Sequence, residues 1–283
     1  MKLLNSSFIL TFFLTLNSDC FAMLRALNTA ATGMAAQEMN VSTISNNIAN
    51  VNTVGYKKNR TEFDTLLYQT IEDAGGRSDA NTQYNVGIQI GSGAKVSAVR
   101  KEFTQGTPQI TNNPFDLMIN GDGFFGVIMP DQQIKYTRDG AFNVDSQGNL
   151  VTKNGYKVFP NIVIPSGSIQ VNITEDGLVE TFAKNQVEPT VVGQIPIFTF
   201  INPVGLRSMG KNLYSVTSSS GQPISNIAGQ NNAGVIQQGA IETSNVSIMN
   251  EMTDLIKAQR AYEMNSRVMK VADEMLQTVN NIR

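Results

Sequence analysis

The chain has no histidine, no tryptophan and a single cysteine, Cys20, among 283 residues. Without imidazole, histidine-based acid–base catalysis, Ser-His-Asp and Cys-His nucleophilic sites and His-bearing metal sites are excluded. One thiol excludes a disulfide within the chain. Carboxylate or lysine chemistry stays open. Charge is sparse too: 16% of residues are charged, the net charge is −2 and the pI is near 5.3. That balance gives no electrostatic case for nucleic acid or an anionic membrane surface. Aromatic residues make up 7% and hydrophobic residues 41%. A lean core of Val, Ile, Leu and Met is expected.

Residues 1–22, "MKLLNSSFILTFFLTLNSDCFA", combine Lys2, an apolar run from Phe8 to Leu16 and a small-residue ending. They read either as a secretory signal or as an over-read upstream of a start at Met23. The apolar run is too short for a transmembrane helix, and no other stretch is long and apolar enough to be one. The fold is therefore read from Met23 onward.

Both ends of that chain carry helical periodicity. Leu27, Met34, Val41 and Ile48 step by seven, with Ala30, Ile44 and Val51 three residues after members of the series. At the other end Ile248, Leu255, Tyr262, Met269 and Leu276 step by seven, followed at three by Ala258, Ala272 and Val279. No Gly or Pro interrupts residues 246–283, which predicts one helix of roughly 35 residues, about 50 Å long. Such narrow stripes call for partner helices. Between the ends, short alternating runs such as "FFGVIMP" and "SIQVNITEDGLVETF" alternate with Asp-Gly and Asn-Gly dipeptides. The expected fold class is α+β: N- and C-terminal helices form a coiled-coil-like stalk with an antiparallel all-β domain between them. Expected boundaries are 23–70 for the N-terminal stalk, 71–105 for an extended arm, 106–243 for the β domain and 244–283 for the C-terminal helix.

Three motifs are set aside. "GDGFFG" matches G-x-G-x-x-G, but a proline-ended strand follows it where a nucleotide site needs a helix. Asp139 and Asp145 lack the alternating ligands of a calcium loop, and hairpin turns explain them more simply. "KKNR", Lys57 to Arg60, reads as a solvated turn. The asparagines at 46, 47 and 50 are different. They border the seam residues Ile44, Ile48 and Val51, where polar amides fix partner geometry.

Three long blocks carry a family likeness. "SNNIANVNTVGYKKNRTEF", "GDGFFGV…YTRDGAFNVDSQGNLVTKNGYKV" and "SNVSIMNEMTDLIKAQRAYEMNSRVMKVADEMLQTVNNI" resemble the signatures of the flagellar axial family of rod, hook and hook-associated proteins. The stretch from Arg60 to Val99 is similar to the arm of its distal-rod members, with proximal-rod members as the alternative. The resemblance implies a non-enzymatic shaft subunit without cofactor or metal, stacked helically with copies of itself around an export channel. Its implied partners are other rod proteins, the hook protein, a surrounding ring bushing and the flagellar export apparatus. It implies a rod crossing the periplasm, with no nucleic acid and no membrane insertion. By similarity Leu27, Met34, Val41 and Ile48 pack on Ile248, Leu255, Tyr262, Met269 and Leu276, and Ile44 belongs to the same interface. Asn46, Asn47, Asn50, Gln259 and Arg260 join the assembly surface, and Gly55 turns the chain out of the tube. Family members carry no cleaved secretory signal, so residues 1–22 fall outside the pattern. Two other readings stay open: a secreted periplasmic β-domain binding protein, and a hydrolase using Asp139 and Asp145.

Overall fold

The computed structural model describes residues 3–73, 77–79, 82–83, 86–183 and 188–281. Within the expected arm at 71–105, residues 74–76, 80–81 and 84–85 lie outside these. The chain divides into two compact units: Met1–Asn46, Arg60–Arg100 and Met249–Arg283 form one, and Asn47–Asn59 with Lys101–Ile248 form the other.

Among the described residues the first unit holds two helices and paired β strands. Helix α1 spans Leu3–Ala49 and helix α2 spans Ile248–Asn281. No described helix is long and apolar enough to cross a membrane. α1 ends at Ala49 because Asn50 and Val51 turn their amides back to the carbonyls of Asn47 and Ile48. Asn59–Thr65 then pairs with Ala94–Lys101, and Tyr68–Glu72 pairs antiparallel with Ile88–Gly91. The stretch "NRTEFDT" is a strand because Thr61 and Phe63 alternate with polar residues, a period of two. Gly33 has a packing reason: a Cβ there would lie 2.7 Å from the Asn265 amide on α2. Gly93 likewise leaves room for Thr32 of α1.

The second unit is all antiparallel β. Its main sheet has nine strands, running Phe142–Val144, Leu150–Thr152, Lys157–Val158, Phe124–Ile128, Ile134–Thr137, Leu213–Ser215 and Arg207–Ser208, with Ile197–Thr199 and Ile224–Asn226 branching off Phe124–Ile128. Alternation along Phe124–Ile128 feeds two cores. Phe125 joins Leu117, Phe142, Leu150 and Ile197 on one side, while Phe124 joins Tyr136, Phe198 and Tyr214 on the other. A three-stranded sheet, Ser168–Ile173, Leu178–Ala183 and Thr190–Gln194, contributes Ile173 and Val179 to the larger core. Two ladders bring the chain's end back to the unit's start. Val235–Gln238 pairs with Leu117–Asn120, and Ala240–Glu242 pairs with Pro108–Ile110.

The glycine dipeptides divide into two kinds. Gly155 and Gly177 occupy left-handed turn positions, as expected of hairpins. Gly140 does not: a Cβ there would run into the Leu117 carbonyl, so this glycine serves a close backbone approach.

Candidate functional site, an assembly surface and a buried ion cluster

The helix seams are only partly covered within the chain. On α2 the buried positions are Glu251, Ala258 and Ala272, with Leu255, Asn265, Met269 and Leu276 half-buried between them. Ile248 and Tyr262 remain 47% and 44% exposed. On α1 Ala30 and Ile44 are buried, whereas Leu27, Met34, Val41 and Ile48 are half-buried. The alanines and Ile44 are thus enclosed, while the other large seam members stand partly in solvent. Gln259 and Arg260 are exposed beside them.

A second stripe on α2 escaped the sequence reading. Met264, Val268, Val271 and Met275 step by four, three and four, and each is 46–59% exposed. At 100° per residue this stripe lies roughly a third of a turn round from the Leu255–Leu276 seam. One helix therefore carries two apolar faces. The signal was present in the spacing, but a single seam had already accounted for the helix.

The asparagines part company. Asn46 faces outward. Asn47 is buried and engaged with its own chain: its Nδ2 donates to the Asn59 carbonyl, and its Oδ1 accepts from the Asn59 amide and the Tyr56 hydroxyl, at 2.8, 2.8 and 3.2 Å. Asn50 Oδ1 accepts from the Thr53 hydroxyl. Gly55 has φ +69°, and a Cβ there would lie 2.6 Å from the Asp139 nitrogen. Its role includes close approach as well as the turn.

The solvated-turn reading of "KKNR" is corrected at Lys57, whose side chain has no exposure. Its Nζ donates to Glu242 Oε1 at 2.6 Å and to the Thr104 carbonyl at 2.8 Å. Glu242, 1% exposed, also accepts from the Gly106 amide at 2.8 Å. Arg138, 3% exposed, places Nε 3.7 Å from Glu242 Oε2, donates to the Gly121 carbonyl at 2.7 Å and lies over the Phe124 ring. Burial holds the Lys57 ammonium below its ordinary range, with Glu242 opposing that shift. Burial lowers Arg138 as well. Isolated ions could not be kept here, so the three stabilise one another. Sequence pattern could not join residues so far apart.

Asp139 pairs with Lys153 at 2.8 Å and bonds the Ala141 amide, while Asp145 caps the Ser146 amide. Asp139 is thus half of an ion pair, where a plain hairpin turn was expected. Among the described residues, no group of three or more acidic, Cys or His side chains is placed to hold a metal.

Comparison with known proteins agrees with this architecture. Residues 27–57 match the family described as flagella basal body rod protein, and residues 118–181 match the flagellar hook protein FlgE/F/G D1 domain. Residues 237–282 match the flagellar basal body rod FlgEFG protein C-terminal family. The flagellar basal-body rod protein FlgG of Borreliella burgdorferi is 48% identical over 92% of this chain and 99% of its own length. FlgG of Caulobacter vibrioides is 45% identical over 92% and 100%. The flagellar hook-basal body complex protein FlhP of Bacillus subtilis is 32% identical over the same shares. With helical ends, an antiparallel β unit between them and full-length relatives at this identity, the chain belongs to the flagellar basal-body rod protein family.

Proposed function

We propose that the chain is a structural, non-enzymatic subunit of the flagellar rod, in its distal segment, polymerising with copies of itself into the hollow shaft that carries torque from motor to hook. The observation that carries this reading is the pair of apolar faces on α2. A helix with one seam can be satisfied by α1, whereas the Met264–Met275 stripe needs a further helix, and in a homopolymer that helix belongs to a neighbouring copy. A head-to-tail contact of unlike faces whose rotation does not close builds a filament. Methionine suits such a surface because its flexible thioether fills irregular gaps. Asn46, Gln259 and Arg260, exposed beside the seams, supply polar contacts in this lattice. The hook protein, other rod proteins, the ring bushing and the export apparatus are the further partners of this reading.

The test is deletion of the gene followed by electron microscopy of isolated basal bodies. Truncated rods without hooks, restored by the full chain, are expected, and the point of truncation separates distal from proximal rod. Intact rods and hooks in the deleted strain would overturn the reading.

A further inference from the structure

The covalent chain passes between the two units four times, at 46/47, 59/60, 100/101 and 248/249. Within the β unit, the segments that follow or precede these crossings are hydrogen-bonded to one another. Asn47, at the first crossing, holds both backbone polar groups of Asn59, at the second. Lys101, at the third, donates its Nζ to Asn59 Oδ1 at 3.1 Å, and the Glu102 amide donates to the Lys58 carbonyl at 2.9 Å. Asn245, close to the fourth, accepts from the Lys58 amide at 2.7 Å and donates to the carbonyls of Glu102 and Thr104 at 2.8 and 3.2 Å. The buried ions continue the same connections. Lys57 bonds Glu242 and Thr104; Glu242 bonds Gly106 through its side chain and Gly55 through its carbonyl.

We infer that Lys57, Arg138 and Glu242 form a buried ionic lock that fastens the β unit's own segments next to the four crossings into one joint inside that unit, so that torsion entering the β unit reaches its core without unwinding a strand end. This inference rests on the shaft reading. Physical chemistry favours ions here over apolar packing for such a joint. A hydrophobic contact is non-directional and can slide, whereas the Lys57–Glu242 pair, bonded also to the Thr104 carbonyl and the Gly106 amide, has one geometry; Arg138 Nε, 3.7 Å from Glu242 Oε2, adds charge without a hydrogen bond. Removing Glu242 leaves two cations buried without their carboxylate, a loss that opens the joint.

The test uses the full chain with Glu242→Gln, expressed in cells lacking the native gene and also purified as monomer. Expected in the monomer is protease cleavage within residues 47–60 and 101–107, faster than in the parent by about a hundredfold or more, while residues 117–238 survive as one resistant fragment. Expected in cells are basal bodies with hooks at parental frequency that swim in dilute buffer and lose rotation in viscous medium. Lys57→Gln, which keeps the Arg138–Glu242 pair, gives the same pattern more weakly and guards against a fold lost outright. Parental cleavage together with parental rotation in viscous medium would overturn the lock, as would cleavage spread evenly through the β unit, which would make the ions ordinary core stabilisers. Intact rods and hooks in the deleted strain without any added chain would overturn the shaft reading and the lock with it. The two failures are thus distinguishable.

Discussion

Lys57 Nζ lies 2.6 Å from Glu242 Oε1 across 185 residues of sequence, and neither side chain is more than 1% exposed. The pair ties the β unit's first segment, Asn47–Asn59, to one of its last strands, Ala240–Glu242. Glu242→Leu should cost roughly 3–5 kcal/mol in urea unfolding, because two buried cations lose their carboxylate. Adding Lys57→Met should recover more than about 1 kcal/mol of that loss, a non-additivity expected of residues in direct contact. Strictly additive midpoints would mean that the pair is not coupled.

Asn47 is the residue whose substitution separates folding from assembly. Asn47→Ala leaves the Asn59 amide and carbonyl without their partner and should lower monomer stability by about 1–3 kcal/mol. Thermal unfolding of the monomer measures this, without any polymer present.

The second stripe of α2 predicts the reverse outcome. Val268→Ser with Val271→Ser should leave monomer stability within about 0.5 kcal/mol per site, as for exposed positions generally. The same double variant should fail to build rods in a complementation assay. A monomer destabilised as much as by a core substitution would place these side chains in an intrachain contact.

The core itself supplies a calibration. Phe125 is fully buried and meets Phe142 edge to face at 5.2 Å. Phe125→Ala should cost about 3–5 kcal/mol by removing that packing and leaving a cavity. Gly140→Ala should be worse than an ordinary small-to-large change, because the added methyl meets the Leu117 carbonyl, which is backbone and cannot turn aside. Soluble expression and circular dichroism would detect it.

Alkaline pH offers a further handle. Burial raises the phenol pKa of Tyr214 and Tyr136 above the ordinary 10.0. The folded chain thus keeps protons that the unfolded chain releases above pH 10.0. Stability from these groups is whole below that pH and is lost as pH rises beyond it. Lys57 acts with the opposite sign, because its depressed pKa makes the unfolded chain the better proton binder on the approach to 10.5. Tyr214→Phe should therefore flatten the fall of stability above pH 10, read from urea midpoints across the alkaline range.

The terminal helices were legible because their information is local. A seven-residue step and an uninterrupted run from 246 describe α2, found at Ile248–Asn281, without any knowledge of the partner. The β region was legible in class for the same reason, since alternation and Asp-Gly or Asn-Gly turns are read within ten residues. Local reading also misled. Asn46 and Asn47 look alike in sequence, and only the return of Asn59 past the helix end turned one inward. Lys57 sat in a basic run that resembles a solvated turn.

Composition and periodicity by themselves determined that this chain is α+β, that its helical ends need partners and that histidine chemistry is impossible in it. Tertiary structure alone decided which polar residues are spent inside the chain. A charged side chain is tolerable in the interior only where an opposite charge meets it, and the partner of Lys57 is supplied by a strand 185 residues away. Pattern within a window reports the hydrophobic face of one element, whereas the joining of Lys57, Arg138 and Glu242 depends on which elements the whole chain brings together.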